Sequence, residues 1–395
     1  MQQISRFHHV TVITRAANRE EIETELMQRP MPNVVWLYFD LPKPLRFWKK
    51  GRRGTHPYYY LWQIGAYLLA RRKHREQNFD IVHHVTFVKY WLPSLLWLLK
   101  CPFVLGPVGG GETTPYSFWP TLGLRGWCYE ATRSLGRWLA EHDPFVRRAA
   151  KRAAICLVTS LETAERVRRL SNHVELFSQV GLAESEIRIL GSLPRSSSDE
   201  LRIVSIGNLL HLKGYHLALP AFARFQREYQ NAKYCIIGSG PEEIRLKRLA
   251  VSLGIADKVS FLGQLPRADA LRAICGCDLL LHTALHDSGG YVCVECMAAG
   301  VPVVCLDLGG SAVLVDNTTG IKVPAIDPEQ SIRDLASALI HLARDPQLRA
   351  RMATAGRQRV REQFSWQRKG ELLNHVYAQV IAQSPVGAAV LAEQS

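Results

Sequence analysis

Three features that mark other classes of protein are missing from this chain of 395 residues. The longest apolar run, residues 90–99, is interrupted by Pro93 and is too short to span a bilayer. The chain does not open with a basic segment, an apolar run and a small-residue cleavage site, so we expect no signal peptide. The nine cysteines are scattered and lie mostly in apolar runs, unlike a disulfide framework. These absences predict a soluble protein of a reducing, cytosolic compartment.

Acidic residues are also scarce in one part of the chain. Residues 1–195 carry 28 Lys and Arg against 16 Asp and Glu, a net charge of +12, whereas the rest carries a net +2. Residues 41–75 contain no acid but ten basic residues interleaved with aromatic ones. Within them, the segment 46–53 predicts a patch that binds an anionic membrane surface. A solvated basic loop is the alternative, and nucleic-acid binding is not expected because no binding module is recognisable.

Short β-branched runs alternate with helical patterns, which is typical of parallel sheets joined by crossover helices. Strands are predicted at residues 9–14, 34–39, 81–85, 103–105 and 154–159, and then at 202–206, 233–237, 259–262, 279–282 and 303–306. The proline and three serines of residues 193–199 favour a turn over packing. They predict a linker between two domains, which the chain length also favours.

The most informative segment spans residues 286–304. A strand is predicted to end near residue 282, and two glycines then open a helix over residues 291–299. Glycines at a helix start leave backbone N–H groups free at the positive end of the helix dipole, where phosphate can bind. Helical side chains lean toward the N-terminus, so Asp287 and Glu295 can face one ligand lying over the helix start. Two carboxylates flanking an anion site suit the hydroxyl groups of a sugar–diphosphate–ribose.

An acidic residue, seven others and a glutamate, followed by Met-Ala-Ala-Gly-Val-Pro-Val-Val, resemble the hallmark of retaining family 4 glycosyltransferases. The resemblance implies the GT-B fold: two Rossmann-like, doubly wound α/β domains that face each other across a cleft. It assigns Glu295 to the ribose of a nucleotide-sugar and Asp287 to the transferred sugar, beside Ser288, Gly289 and Gly290. Aspartate in place of the usual glutamate keeps the charge and shortens the reach by one methylene.

A second constellation, residues 206–214, follows the first predicted strand of the second half. Here the family places an arginine and a lysine five residues apart, and both bind the diphosphate. Lys213 matches the lysine, whereas Asn208 stands where the arginine is usual, so one cation is missing. His211 or a basic residue of the first domain could replace it, and Asn208 can still donate amide hydrogen bonds. The resemblance adds the glycines of neighbouring turns to the donor site: Gly207, Gly240 and Gly263.

The first half resembles the family only loosely. Residues 8–15 look like the second strand of the family's first domain, and the expected first strand with its glycine-rich loop is absent. We therefore expect that the chain starts late relative to its relatives and that its first sheet is opened, with unpaired edges. If so, it is expected to be poorly active.

The strand at residues 103–105 runs into a triple-glycine loop, and such loops line the ligand crevice of an open α/β sheet. Glu112 is predicted to accept hydrogen bonds from hydroxyl groups of a bound sugar or acceptor. For His84 a cleft position and a buried, hydrogen-bonded position are both open. The predicted acceptor-side residues are thus Gly109, Gly110, Gly111, Glu112 and His84.

The resemblance divides the chain into four parts. An acceptor-side domain is expected over residues 1–195 and a nucleotide-sugar-binding domain over residues 196–365. A helix over residues 366–384 is expected to cross back to the first domain, and residues 385–395 to form a tail.

These residues predict a retaining glycosyltransferase of the hexosyltransferase type. It would move a sugar from a nucleotide-sugar to a lipid-linked or polysaccharide acceptor in surface polysaccharide biosynthesis. Lys213 and the N–H groups of the helix start would stabilise the departing diphosphate, with Asp287 as the second catalytic residue, so no cofactor and no metal are expected. The alternatives are a nucleotide-sugar epimerase or hydrolase and a non-catalytic subunit that binds donor or membrane. A cytoplasmic protein, peripheral on the inner face of the plasma membrane, is expected.

Overall fold

The computed structural model describes residues 1–49, 51, 54–85, 89–193 and 200–383. The strands in this part are β1 (Val10–Arg15), β2 (Val34–Phe39), β3 (Val82–His84), β4 (Phe103–Val108), β5 (Ile155–Val158), β6 (Val174–Leu176), β7 (Leu201–Ile206), β8 (Ala232–Ile237), β9 (Val259–Gly263), β10 (Leu279–His282), β11 (Val303–Leu306) and β12 (Gly320–Val323).

The α-helices in the same part are α1 (Arg19–Gln28), α2 (Thr55–Gln77), α3 (Gly123–Glu141), α4 (Pro144–Arg152), α5 (Leu161–Arg168), α6 (Glu184–Ser192), α7 (Tyr215–Glu228), α8 (Glu243–Ser252), α9 (Arg267–Cys275), α10 (Tyr291–Ala299), α11 (Gly309–Leu314), α12 (Pro328–Arg344), α13 (Pro346–Gln363) and α14 (Trp366–Ala382).

Six parallel strands form the sheet of the second half, in the order β12-β11-β10-β7-β8-β9. This is the order of a doubly wound fold, in which the chain builds outward from β7 and then from β10 in the opposite direction. The residues of β10 and β11 are all buried, and all of them except His282 are apolar, as is typical of central strands in a parallel sheet. The carboxyl ends of β7 and β10 therefore lie side by side at the switch point, where doubly wound sheets bind ligands.

The first half carries its parallel strands in two separate sheets. One contains β1 and β2, and the other contains β3, β4, β5 and β6 in that order. Among the described residues no strand joins β1 to β3. All six residues of β1 are only half-buried, as befits a strand with one neighbour. The strands of the first half thus form two sheets that share no strand among the described residues.

Contacts in both directions tie the two halves together. Phe118 and Leu122, between β4 and α3, are buried in the core of the second half. In return, α14 packs on the first half, where the hydroxyl of Tyr377 lies 2.6 Å from Nδ1 of His83. Of the predicted linker and tail, residues 194–199 and 385–395 lie outside the described part of the chain.

Lys369 of α14 is buried where this helix meets the first half. Its ammonium group donates to the carbonyl oxygen of Ser178 and lies 4.7 Å from the ring centre of Phe177. Burial lowers the pKa of Lys369 to about 8.

Lys369→Met should therefore change how stability depends on pH. With a pKa lowered from 10.5 to about 8, Lys369 binds fewer protons in the folded than in the unfolded chain between these values. The free energy of unfolding of the wild type should then rise by up to about 3 kcal/mol from this residue between pH 8 and pH 10.5, and the variant should lack that rise. Urea unfolding at pH 7.5, 9 and 10 measures the difference.

Lys100→Met, at an exposed position of the first half, is the matched control. Its free energy of unfolding should change with pH as that of the wild type does. Identical pH dependence of the wild type and Lys369→Met would contradict the prediction.

Candidate functional site

The residues predicted for the donor meet at the switch point of the second sheet. The loop after β7 carries Lys213, and the segment after β10 leads through Asp287 into α10. These two segments touch at Gly214, where a Cβ atom would lie 1.9 Å from the carbonyl oxygen of Thr283. With its φ of +69°, this position needs glycine for both its space and its conformation.

The carboxylate of Asp287 joins Lys213 to the start of α10. Its Oδ2 accepts from Nζ of Lys213 at 2.5 Å, and its Oδ1 accepts from the backbone N–H groups of Gly289 at 3.0 Å and Gly290 at 3.3 Å. Burial alone would raise the pKa of Asp287, but the charge of Lys213 and these hydrogen bonds hold it well below its usual range. The N–H groups predicted to be free for a phosphate are thus occupied by the chain's own carboxylate.

Glu295 is buried in α10 and accepts a hydrogen bond from Nη1 of Arg267 at the start of α9. Burial raises the pKa of Glu295, although the arginine opposes this. Arg267 also pairs with Glu186 at 2.8 Å. Sequence reasoning missed Arg267 because a lone arginine after a proline has no distinguishing signal.

The remaining donor-site predictions lie around the same loops. A Cβ atom at Gly240 would lie 2.5 Å from the carbonyl oxygen of Leu209, so a glycine lets the turn after β8 contact the loop that carries Gly207. Gly263 has a φ of +68° at the end of β9. The side chain of Asn208 is exposed at the start of the Lys213 loop.

A cavity of about 1140 Å³ opens between the two halves beside this site. Ser288 lines it from the second half, and Gly110 and Glu112 line it from the first. A Cβ atom at Gly109 would lie 2.8 Å from the Cβ atom of Ser288, so the glycine loop directly contacts the donor-side segment. The structure therefore brings the predicted glycine loop and Ser288 together at one cavity.

The two remaining acceptor-side residues, Glu112 and His84, are both buried. Glu112 is buried, and its carboxylate already accepts from Ser160 at 2.6 Å, from Thr163 at 3.0 Å and from the N–H of Gly110 at 2.8 Å. It anchors the glycine loop, and its role as an acceptor for substrate hydroxyls stays a prediction. His84 is buried, and its Nε2 lies 3.0 Å from the hydroxyl of Tyr59. Of the two positions left open for it, His84 takes the buried, hydrogen-bonded one, and it is not among the residues that line the cavity.

Glu130 of α3 is a further buried acid, and the sequence carries no signal for it. Its Oε1 lies 4.0 Å from Nε2 of His211 and 3.9 Å from Nδ1 of His286, and neither carboxylate oxygen has a hydrogen-bond partner among the described residues. Burial raises the pKa of Glu130 and lowers that of His286 to about 3. The ring of His211 thus faces α3.

Cys293 and Cys296 lie three residues apart on α10. Both thiols are buried in α10, and burial raises their pKa well above the usual value. Among the described residues no group of His, Cys, Asp and Glu side chains has the arrangement of a metal site. In the same part of the chain, no helix combines the length and apolarity that crossing a membrane requires.

Both halves of the chain match glycosyltransferase family models. Residues 2–175 match the model described as "Glycosyl transferase 4-like domain" and residues 194–359 match "Glycosyl transferases group 1".

Several curated proteins are similar over part of the chain. A GDP-mannose-dependent monoacylated alpha-(1-6)-phosphatidylinositol monomannoside mannosyltransferase of Corynebacterium glutamicum is 32% identical over 175 residues, which cover 42% of this chain and 44% of that protein. The alpha-D-kanosaminyltransferase of Streptomyces kanamyceticus is 28% identical over 261 residues, which cover 63% of this chain and 65% of that protein. The lipopolysaccharide core biosynthesis glycosyltransferase LpsE of Rhizobium meliloti is 29% identical over 184 residues, which cover 46% of this chain and 50% of that protein. The chain thus spans about half to two thirds of the length of these relatives.

Solved structures share the fold over nearly the whole chain. The sucrose-phosphate synthase of Thermosynechococcus elongatus superposes with a TM-score of 0.63 at 18% identity, covering 95% of this chain and 100% of that one. WaaG, a glycosyltransferase involved in lipopolysaccharide biosynthesis, superposes with a TM-score of 0.56 at 14% identity, again covering 95% of this chain and 100% of that one. These similarities confirm the predicted GT-B fold.

The ion pair of Lys213 and Asp287 should be strongly coupled, because about four fifths of each side chain is buried. We expect Lys213→Met, Asp287→Asn and the double variant to give a coupling energy of about 2 kcal/mol in the free energy of unfolding. Urea unfolding at pH 7 measures all three.

Lys247 and Glu243 of α8 form a more exposed pair at 2.7 Å and serve as the control. Lys247→Met with Glu243→Gln should show a coupling of about 0.5 kcal/mol or less. Equal coupling energies for the two pairs would refute the importance of the Lys213–Asp287 contact.

Proposed function

We propose that this chain, which has the GT-B fold and matches glycosyltransferase family models over both of its halves, transfers a sugar from a nucleotide-sugar to an acceptor. The second half holds the donor at the switch point, and the first half holds the acceptor across the cavity. The observation that carries the proposal is the cluster of Lys213, Asp287 and the start of α10 at the carboxyl ends of β7 and β10. An ammonium group and backbone N–H groups at a helix start are donors suited to a diphosphate.

Donor binding exchanges one anion for another at this cluster. The diphosphate takes the ammonium group of Lys213 and the N–H groups of Gly289 and Gly290, which Asp287 holds in the ligand-free chain. When the bond to the transferred sugar breaks, these donors stabilise the charge that develops on the leaving group. The released carboxylate of Asp287 then accepts hydrogen bonds from sugar hydroxyls, and Glu295 binds the ribose in competition with Arg267. Retention of configuration and independence from a metal are parts of this proposal.

The acceptor is proposed to be lipid-linked or a glycan in surface polysaccharide biosynthesis. Two of the similar proteins support this class by name, since one is a phosphatidylinositol monomannoside mannosyltransferase and another acts in lipopolysaccharide core biosynthesis. The UDP complex of Anabaena HepE shares the fold with a TM-score of 0.57 and supports a nucleotide donor.

The outer face of α3 supports a peripheral membrane position. This helix buries Gly126, Glu130 and Arg137 and exposes large apolar side chains on its other side. Five of them are at least half exposed and recur at helical spacing: Leu124, Trp127, Leu135, Trp138 and Leu139. An apolar stripe on a strongly basic half is the pattern of an interfacial helix.

The predicted patch at residues 46–53 is only partly described, since Lys50, Arg52 and Arg53 lie outside the described residues, but Phe47 is exposed. We propose that this patch and α3 together bind the cytoplasmic face of an anionic membrane.

The activity is tested with radiolabelled UDP-glucose, UDP-N-acetylglucosamine and GDP-mannose, with and without total lipid extract as acceptor. We expect the release of nucleoside diphosphate to depend on the lipid extract. Lys213→Met should lower the rate by roughly a hundredfold, because it removes one charged donor to the leaving group. Turnover without any acceptor would support an epimerase or hydrolase instead, and donor binding without turnover would support a non-catalytic subunit.

Membrane binding is tested by flotation with vesicles of 70% phosphatidylcholine and 30% phosphatidylglycerol. Trp127→Gln with Trp138→Gln should weaken binding by roughly tenfold or more, since two apolar side chains no longer enter the interface. Ile244→Gln with Val251→Gln, equally exposed on α8 of the second half, is the matched control and should bind as the wild type does. Equal loss in both double variants would contradict α3 as the membrane contact.

A further inference from the structure

The two acids that line the cavity between the two halves each accept three hydrogen bonds from the chain itself. The carboxylate of Glu112 is occupied by Ser160, Thr163 and the N–H of Gly110. That of Asp143 accepts from the hydroxyl of Tyr60 and from the N-terminal N–H groups of α4. Most of the acceptor capacity of both acids is therefore used by contacts within the chain.

The basic groups in the same wall are not neutralised. Nζ of Lys89 lies 4.6 Å from the ring centre of Trp91, and no carboxylate of the described residues lies within ion-pair distance of it. Burial lowers the pKa of Lys89, and the nearby charge of Arg133 lowers it further. The absence of a counter-ion therefore disfavours the charged form of Lys89 in the ligand-free chain.

Arg133 of α3 is held in place by uncharged partners. Its Nη1 donates to the carbonyl oxygen of Glu112 at 2.7 Å and its Nη2 to that of Gly110 at 3.0 Å. The indole Nε1 of Trp91 is a further buried donor with no partner among the described residues. The available polar groups at this end of the cavity are therefore donors, and two of them are cationic.

The adjoining wall is apolar and leads to the outside of the protein. Leu92, Leu139 and Ala140 line the cavity, and Leu139 is also exposed at the end of α3. The neighbouring side chain of Trp138 belongs to the outward stripe of the same helix. A ligand that fills the cavity therefore meets cations at one end and an apolar exit at the other.

We propose that the acceptor carries a phosphate or diphosphate group, which binds Lys89 and Arg133 while its apolar part lies along the α3 wall. The inference rests on the proposed function, because it treats the cavity as the acceptor site. Neither Lys89 nor Arg133 has a carboxylate within ion-pair distance among the described residues, so an anion between them gains two charge-assisted partners. A neutral glycan would gain no such charge pairing.

Calorimetry with three probes tests the proposal in the presence of saturating UDP or GDP, which occupies the donor site. Farnesyl diphosphate carries both features, inorganic pyrophosphate only the charge, and farnesol only the apolar chain. We expect farnesyl diphosphate to bind most tightly and Lys89→Met to raise its Kd at least tenfold. The same variant should weaken pyrophosphate and leave farnesol unchanged, whereas Lys89→Arg should retain farnesyl diphosphate binding.

Two control variants separate this inference from the proposed function. Lys100→Met changes an exposed lysine of the same half and should bind all probes as the wild type does. Lys213→Met should weaken UDP or GDP and leave farnesyl diphosphate bound. The inference is overturned if the wild type does not bind farnesyl diphosphate beside the nucleotide, or if Lys89→Met binds it unchanged. The proposed function fails separately if no nucleoside diphosphate binds at all.

Discussion

One carboxylate holds the candidate donor site together. Asp287 takes the ammonium group of Lys213 on one oxygen and two N–H groups at the start of α10 on the other. It thereby connects the segments that follow β7 and β10, the two strands between which the sheet changes direction. An anion of the chain thus occupies the place where the donor's diphosphate is proposed to bind. In the proposed binding step, the diphosphate of the donor replaces the carboxylate of Asp287. One anion thus takes the place of another beside Lys213 and the start of α10.

The first half differs from the second in both charge and exposed surface. It carries nearly all of the net positive charge, and its helix α3 serves two surfaces at once. The inner side of α3 presents Arg133 to the cavity and buries Glu130 against two histidines of the second half. Its outer side presents Trp127 and Trp138 to the surroundings. Helix α3 therefore lies between the acceptor cavity and the surface from which a lipid-linked acceptor would arrive.

The sequence predicts the second half well because its signals are local. Glycines at helix ends and continuous buried strands place β10, α10 and β11 within a residue of their observed bounds. The missed strands, β6 and β12, are short edge strands with polar or glycine residues, and β4 continues through Gly106 and Pro107, which usually interrupt strands.

The roles of individual side chains are less predictable because their partners are distant in sequence. Glu112 is held by residues about fifty positions away. Lys89 is distinguished by the lack of a carboxylate within ion-pair distance among the residues that the structure describes, which only the fold reveals. A crystal structure of the protein with bound UDP or GDP tests the central claim most directly. We predict that Nζ of Lys213 and the N–H groups of Gly289 and Gly290 contact phosphate oxygens and that Asp287 has turned away from them. A nucleotide bound elsewhere, with the contacts of Asp287 unchanged, would contradict the account.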